Sequence, residues 1–410
     1  MKKIIASILA LASAIGLTAC GKKSEPIQST VVKKEYNFKP IEVTGDNVLN
    51  SVRVFDTMYE DSEQAMFSPL SLNMCLGMLE SGAAGESKTA LQEYLGTEDY
   101  SSFAKRYLEN AKNYSADDYD GYKNVFDIAN SFWANKSLAF SNEYKKSVSE
   151  NFSAEIDNLD FSKSKAAASK INGWVNEKTH KMIPTLVREE QLSEDTAAVL
   201  VNTVYFESAW NEEWGVPNKM ETFTAADGST NEVELMRKTC SSYYENDNAT
   251  AFSCYYKNGL MFVGILPKET GDFTLESLDI SSLLKNKNTA YEVYARMPKL
   301  NFESEFPLTD ALKAAGLSDL FSPDTADFTP MQKNTDDKLF ISEVLQKTKL
   351  ELDDKGTKAA AATAVIMNEG MAIDEQPKET REVYLNRPFA FLIYDEGNEQ
   401  IVFMGKVTKL

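Results

Sequence analysis

The stretch LDDKGTKAAAATAV, residues 352–365, decides how this chain must fold. It follows TKLEL at 348–352 and precedes PFAFLIYD at 388–395, two segments whose apolar and β-branched residues are typical of buried strands. The connection between those strands is much longer than most connections inside a compact domain. Connections of that length are usually functional or disordered, so the stretch is a candidate functional segment.

Two interpretations of this small-residue stretch are open. Four consecutive alanines favour a short helix or a flexible linker. If the stretch formed a strand instead, alternate residues would share one face, and those on one face are all small or β-branched: Thr357, Ala359, Ala361, Thr363 and Val365. Lys358, the only charge, would lie on the opposite face in reach of water. Such a strand could insert into an existing sheet without overpacking the core, with Gly356 as a permissive hinge.

The composition indicates a globular chain with a strongly acidic surface. Among the 410 residues, 43% are hydrophobic, which is enough for a sizeable core in one large domain or two. The 62 acidic and 43 basic side chains give a net charge of −19, which would repel the phosphates of a nucleic acid. We therefore expect no nucleic-acid partner.

The N-terminus has the pattern of an export signal. Two lysines precede an apolar run that is short for a membrane-spanning helix, and the run ends in LTAC at 17–20. This ending resembles the bacterial lipoprotein box, in which the cysteine is lipidated, although an ordinary cleaved signal also fits. We expect a signal peptide at 1–19, a flexible spacer at 20–42 and a folded domain at 43–410. Lipidated Cys20 would attach an exported bacterial lipoprotein to the membrane, at the cell surface or in the envelope.

Three further cysteines follow, and export makes disulfides feasible. Cys75 lies in an apolar helical run and is predicted to be a buried thiol. Cys240 and Cys254 flank a hairpin-like stretch whose turn residues centre on position 247, so a symmetric hairpin would place them opposite one another. A cross-strand disulfide and two buried free thiols are both compatible with this pair.

The order of helical and strand-like segments predicts an α+β chain without repeats or a second core. Helical periodicity appears at 48–95, with a small-residue loop at 81–88 and a restart at Ser87, then twice within 141–187, and again at 308–317. Strand-like runs appear at 196–210, 233–266 and 290–306. The first of these is rich in Val, Tyr and Phe, which favours a central strand.

The residues that common catalytic and metal sites require are scarce. The one histidine, His180, is expected at a helix end or in the loop after it, and a single imidazole cannot provide both a metal cluster and a base. Glycine-rich nucleotide-binding motifs, HExxH and CxxC are missing from the sequence. We expect no metal, no cofactor and no enzymatic activity, although paired carboxylates cannot be picked out among so many acidic residues.

Five segments, in the right order, resemble motifs of the serpin family. They are FSPLS at 67–71 with SGAAGES after it, KINGWVNEKTHKMIPTLV at 170–187, VLVNTVYFESAW at 199–210, the stretch at 352–365, and RPFAFLIYDEGNEQIVFMGKV at 387–407. The resemblance runs from about residue 48 to the C-terminus. It implies a serpin fold of three β-sheets with eight or nine helices and an exposed reactive-centre loop at about 356–382.

The resemblance also implies a function that is not enzymatic. A target serine protease would cleave the reactive-centre loop and form an acyl-enzyme, and the freed loop would insert into the main sheet as a new strand. Insertion would carry the trapped protease across the molecule and distort its active site. The inserting face contains no bulky, charged or Pro residue, which favours inhibition over the alternative, a non-inhibitory serpin-fold binding protein.

Individual positions carry over from the family's motifs. The hinge would comprise Asp354, Gly356, Thr357, Ala359, Ala361 and Thr363. The shutter and breach, where the sheet parts, would comprise Ser71, Asn202, Trp210, Lys299 and Gln346. Lys299 and Asp354 would pair at the top of the sheet. Gln346 stands where many members have a histidine, so we expect no pH-dependent switching through that side chain.

Several alternatives exist for the bond that a target protease would cut. Four residues are candidates for it: Met367, Glu369, Gly370 and Met371. Counting the family's usual spacing from Gly356 gives the bond between the last two, but the segment after it is longer than is usual in the family. No Arg or Lys lies between 359 and 377, which argues against trypsin-like targets. Elastase- or subtilisin-like serine proteases are favoured, with papain-like cysteine proteases as the alternative.

Overall fold

The computed structural model of the chain describes residues 39–59, 63–115, 123–217, 219–306, 308–334, 338–357 and 378–410. Several predicted positions lie outside the described residues. They are the expected signal peptide and Cys20 near the N-terminus, and Ala359, Ala361, Thr363, Met367, Glu369, Gly370 and Met371 in the expected reactive-centre loop.

Eight α-helices lie within the described ranges: α1 (Asn47–Met58), α2 (Pro69–Glu80), α3 (Gly85–Leu95), α4 (Tyr100–Ala111), α5 (Asn142–Phe152), α6 (Ser164–Lys178), α7 (Ile280–Lys285) and α8 (Leu308–Leu312). Side chains that accept hydrogen bonds from otherwise unpaired amides begin several of them, as Asp46 does for α1 and Ser68 for α2. Every residue of α2 is buried, so this helix lies inside the core. None of the described helices is both long and apolar enough to cross a membrane.

The same part of the chain contains seventeen strands: β1 (Gln64–Phe67), β2 (Val125–Asn135), β3 (Glu155–Leu159), β4 (Ala198–Ala209), β5 (Met220–Thr224), β6 (Thr230–Cys240), β7 (Ser242–Glu245), β8 (Ala249–Tyr255), β9 (Met261–Pro267), β10 (Lys287–Asn288), β11 (Tyr291–Pro298), β12 (Leu300–Phe306), β13 (Glu343–Leu352), β14 (Gly356–Thr357), β15 (Glu379–Tyr384), β16 (Phe389–Asp395) and β17 (Gln400–Val407).

These strands form three sheets, and the predicted α+β fold is confirmed. The central sheet has the order β12-β13-β14-β4-β2-β3. The second has the order β1-β17-β16-β9-β8-β7-β10, and the third has β15-β11-β6-β5. The two strands expected on either side of the small-residue stretch therefore belong to different sheets, because β13 lies in the central sheet and β16 in the second.

Strand β4 runs through the middle of the central sheet and is buried along almost its whole length. Leu200 and Phe206 pack into the main core, whereas Val199 and Val201 pack in a second cluster formed with α6. Successive side chains of a strand point to opposite faces, which produces this division. Because both faces are buried, the segment forms the long apolar run seen in the sequence.

Two local expectations at the start of the domain differ from the structure. The region expected to be helical, 48–95, contains the short strand β1, because its four residues pair with β17 near the C-terminus. A pairing partner so distant in sequence leaves no trace in local periodicity. The helix after the small-residue loop begins at Gly85 rather than at Ser87.

The hairpin expected between Cys240 and Cys254 has a different register. Strand β7 pairs with β8 through Ser242 and Ser253, so Cys240 lies before the hairpin, at the end of β6. The two cysteines form a disulfide, with Cα atoms 6.2 Å apart, that joins the third sheet to the second. Cys75 is a buried free thiol, and burial raises its pKa to about 12.

Candidate functional site

Strands β4 and β13 are joined at one end and separated at the other. They pair directly at 199–201 and 343–345, which we call the narrow end. At the other end, the wide end, Thr357 of β14 lies between them and pairs with both. No pairing links the two strands in between, at 202–207 of β4 and 346–351 of β13, all of which are described residues. We call this unpaired stretch the gap.

A tight turn at 353–356 reverses the chain from β13 into β14. The Asp353 amide donates to the Gly356 carbonyl (2.9 Å), and the Asp353 carboxylate accepts from the amides of Lys355 (2.8 Å) and Gly356 (3.2 Å). Strand β14 therefore runs antiparallel to both neighbours. A Cβ atom on Gly356 would overlap the carbonyl oxygen of Ser208, so this close approach to β4 requires glycine.

Trp210 and Tyr256 hold the turn and the hinge at the wide end. The Trp210 indole donates to the Asp353 carbonyl (2.8 Å), and its ring stacks on Tyr256 with centroids 4.2 Å apart. The Tyr256 hydroxyl bonds to the hydroxyl of Thr357 (2.7 Å), a residue that is only 2% exposed. Burial raises the pKa of Tyr256 well above its usual value, so the phenol keeps its proton. Thr357 consequently faces the core, where the alternation of the stretch would place it.

Lys299 and Asp354 form an ion pair beside this turn. Their side chains lie 2.8 Å apart, and Glu234 lies 3.6 Å from the same ammonium. Partial burial is the largest single influence and raises the pKa of Asp354. The hydrogen bond from Lys299, a backbone hydrogen bond and the charges of Lys299 and Lys355 together outweigh burial, so the pKa is lowered. The same hydrogen bond is the main cause that raises the pKa of Lys299. Because both side chains remain partly exposed, the pair adds little to the free energy of folding.

A buried polar network lies next to the narrow end. The Ser71 hydroxyl of α2 donates to the side-chain oxygen of Asn202, whose amide donates to the side-chain oxygen of Asn130 in β2. Asn130 in turn donates to the Phe152 carbonyl at the end of α5 (2.9 Å). Ser71, Asn202 and Asn130 are all almost completely buried. The network therefore ties two strands of the central sheet to two helices.

Gln346 joins β13 to the start of α2. Its side-chain oxygen accepts from the Ser68 amide (2.8 Å), and its NH₂ group donates to the Ser68 carbonyl (3.0 Å). The next side chain on the same face, Thr348, donates to the Met66 carbonyl (2.6 Å). An amide has no titration near neutral pH, so this link does not respond to pH.

The segment after α6 covers the outer side of the gap. Met182 and Ile183 line a narrow cavity together with residues of β4, β13 and β14. His180 anchors the segment, since its Nε2 lies 2.7 Å from the Asp127 carboxylate of β2 and its ring packs against Tyr205, with centroids 4.4 Å apart. Within the described ranges, no group of three or more His, Cys, Asp or Glu side chains is arranged to hold a metal ion.

Sequence reasoning missed several residues that complete the site. Tyr256 bonds to the hinge, Asn130 extends the network at Asn202, and Ser68 pairs with Gln346. Each of them meets its partner from a distant part of the chain. A single sequence carries no signal for such contacts, and no pattern in the residues would have found them.

Known proteins resemble this chain over most of its length. The family model for Serpin (serine protease inhibitor) matches residues 49–410. Neuroserpin of Gallus gallus is 28% identical over 399 residues, which cover 93% of this chain and 93% of that protein. Leukocyte elastase inhibitor A of Mus musculus is also 28% identical, over 89% of this chain and 99% of that protein.

Solved structures show the same fold. The crystal structure of tengpin, a thermophilic serpin, in the native state superimposes with a TM-score of 0.75 at 28% sequence identity. The match covers 94% of this chain and 99% of tengpin.

Proposed function

This chain belongs to the serpin family, and we propose that it inhibits serine proteases by offering its reactive-centre loop, about 356–382, for cleavage. The observation that carries the proposal is strand β14. Gly356 and Thr357 lie between β4 and β13, are paired with their neighbours, and run in the direction that a fully inserted loop would take. The gap beyond them is the space that the rest of the loop would fill.

Continuing β14 in its registers would carry the loop along the gap one residue at a time. Thr357 pairs with Ser208 and Leu352, so Thr363 would come opposite Asn202 and Gln346. The residues on the same face as Thr357 are Ala359, Ala361, Thr363 and Val365. All are small or β-branched, which would let them lie over the core without overpacking it.

Inhibition would depend on a competition between hydrolysis and insertion. The protease serine would attack the carbonyl of the reactive bond, expel the amine of the C-terminal fragment and stay joined to the chain as an ester. The freed strand would gain backbone hydrogen bonds to β4 and β13. If insertion is completed before water attacks the ester, the protease stays trapped. The chain would be consumed as a substrate and catalyse nothing, and its uncleaved form would be a kinetically trapped state.

Elastase- or subtilisin-like proteases are the proposed targets. The candidates for the reactive bond are Met367, Glu369, Gly370 and Met371, and no Arg or Lys lies between 359 and 377. A trypsin-like specificity pocket, with its buried Asp, selects a basic residue that this segment lacks. The name of the similar mouse protein, leukocyte elastase inhibitor A, supports the same choice.

Membrane attachment through Cys20 is a second part of the proposal, with the folded domain displayed outside the bacterial cell or in its envelope. It is supported by the LTAC ending of the apolar N-terminal run. Cells fed a labelled fatty acid should incorporate the label into this chain but not into its Cys20→Ser variant. Equal labelling of both proteins would reject lipidation at this cysteine.

Incubation with elastase, subtilisin and papain tests the inhibitory function. We expect elastase or subtilisin to form an adduct that survives denaturing electrophoresis, and mass spectrometry of the released peptide would identify the cut bond. An adduct with papain alone would support cysteine proteases as targets. A clipped chain without an adduct, for every protease tested, would instead indicate a non-inhibitory binding protein.

A further inference from the structure

Two glutamates lie on the borders of the gap, one residue beyond the hinge. Thr357 pairs with Ser208 of β4 and with Leu352 of β13. Glu207 directly precedes Ser208 in the sequence, and Glu351 directly precedes Leu352. Since Thr357 and its two partners face the core, strand alternation turns both glutamates to the outer face of the sheet. Toward the narrow end, the same outer face of β4 and β13 packs against α6.

At this level the outer face carries two carboxylates, each with a lysine beside it. Glu207 is only 7% exposed, accepts a hydrogen bond from the Tyr205 hydroxyl (2.8 Å) and has Lys123 at 3.5 Å. Glu351 is more exposed and pairs with Lys349 of its own strand at 2.9 Å. Burial first, then the carboxylate of Glu207 and that of Glu351, raise the pKa of Tyr205. Both carboxylates therefore lie close enough to Tyr205, beside the gap, to disfavour its ionisation.

The sequence supplies a cation at the matching position of the loop. Lys358 directly follows Thr357 and is the only charged residue from there to Val365. One further step in the registers of β14 would bring it opposite Glu207 on one side and Glu351 on the other, on their face of the sheet. On insertion, the single charge in the small-residue stretch would thus fall between these two carboxylates.

We propose that Glu207 and Glu351 together receive the ammonium of Lys358 as the loop inserts, and that they act as positioning residues for the inserting strand. This inference rests on the proposed function, because it requires the loop to insert. The site is the part of the gap between Glu207 and Glu351, where a positive charge is favoured. Its occupant is the segment of this chain that begins at residue 358.

The physical reason is the sign of the charge that a partly buried place between two carboxylates favours. Glu207 is nearly buried and loses hydration there, and the lysines beside the two carboxylates, Lys123 and Lys349, are themselves partly exposed. A lysine between Glu207 and Glu351 would give both carboxylates a further cationic partner, and its methylene stem could cover apolar surface. An acidic residue in the same place would add a third negative charge, and the first step of insertion would become unfavourable.

Charge reversal at 358 tests the inference, with the full mature chain and a protease that it inhibits. In Lys358→Glu, we expect the amount of inhibitor consumed per protease trapped to rise about tenfold, as for a close charge pair of moderate strength. Lys358→Ala should lie between this variant and the original chain. Adding Glu207→Gln and Glu351→Gln to Lys358→Glu should restore much of the loss, since the repelling charges are gone. Lys378→Glu, the same charge change on the C-terminal side of all candidate bonds, serves as the matched control.

A second measurement separates failure of this inference from failure of the proposed function. The unfolding temperature of the loop-clipped chain should fall in Lys358→Glu, whereas that of the intact chain should barely change. If the original chain forms no adduct and clipping does not stabilise it, the inhibitory function itself is wrong. If the original chain does both, but Lys358→Glu matches Lys358→Ala and the control, then the two glutamates do not receive Lys358.

Discussion

The two ends of the gap are held by different kinds of interaction, although the same strands, β4 and β13, form both. At the narrow end the strands pair with each other beside buried side chains such as Asn202. At the wide end they are separated by a two-residue strand, which hydrogen bonds from Trp210 and Tyr256 and a partly exposed ion pair hold in place. A buried network is costly to leave half satisfied, whereas an exposed pair contributes little. Because β4 and β13 are already separated at the wide end, the proposed insertion would open the sheet from there, where the loop begins.

The largest effect is expected from a charge at the wide end. Thr357 is buried between both strands, so Thr357→Arg would place an unpaired charge where the core begins. Insertion should fail and the inhibitor should become a substrate, which is measured as the loss of the adduct while clipping continues. Thr357→Ser, which keeps the hydroxyl that bonds to Tyr256, is the control. An unchanged yield of adduct in the arginine variant would contradict loop insertion.

Loss of the network at the narrow end should cost stability. Asn202→Ala removes the partner of Ser71 and of Asn130, and a buried polar group left without its partner costs about 1–3 kcal/mol. Denaturant unfolding of the intact chain measures this change, with Asn211→Ala, an exposed residue two positions after the end of β4, as the control. If both variants unfold alike, the narrow end is not the stronger of the two.

A side chain at the turn should push the hinge out of the sheet. Gly356→Ala would bring a methyl group against the Ser208 carbonyl, and overpacking of this kind costs about 1–3 kcal/mol. We expect faster exchange of the Thr357 amide hydrogen and faster clipping of the loop. Gly173→Ala, where a Cβ meets open space in α6, should change neither rate. Slow exchange of the Thr357 amide hydrogen in both variants would show that the close approach of Gly356 to Ser208 does not decide whether the hinge stays in the sheet.

The smallest effect is expected from the exposed ion pair. Asp354→Asn should lower the free energy of unfolding by less than about 1 kcal/mol at neutral pH. The pKa of Asp354 is lowered in the folded chain, so its contribution is complete above the unfolded-state pKa and is lost as the pH falls through the folded-state pKa. The difference between the two proteins should therefore vanish in acid. A difference that persists there would assign the effect to another contact.

The sequence predicted the elements that have a strong local pattern. The buried strand β4 was visible as a Val-, Tyr- and Phe-rich run, and the helix α5 as an amphipathic repeat. The α+β fold and the family followed from segments in a characteristic order. The short strand β1 was missed because four residues carry no periodicity of their own and owe their conformation to β17.

Prediction of the site was limited by register. Alternation alone listed which residues of the small-residue stretch share a face, and the structure buries the first of them, Thr357. The residues that border this stretch could not be read from the chain, since the pairing of Thr357 with Ser208 and Leu352 depends on how two distant strands align. The same holds for Tyr256, which directly follows β8 and whose hydroxyl bonds to Thr357 in the hinge.

Thermal unfolding before and after the loop is clipped tests the central claim most directly. If the gap between β4 and β13 accepts the cleaved loop, the clipped chain gains a complete central strand and should unfold at a clearly higher temperature than the intact chain. An equal or lower unfolding temperature after clipping would contradict the account, because the freed loop would then have found no place in the sheet.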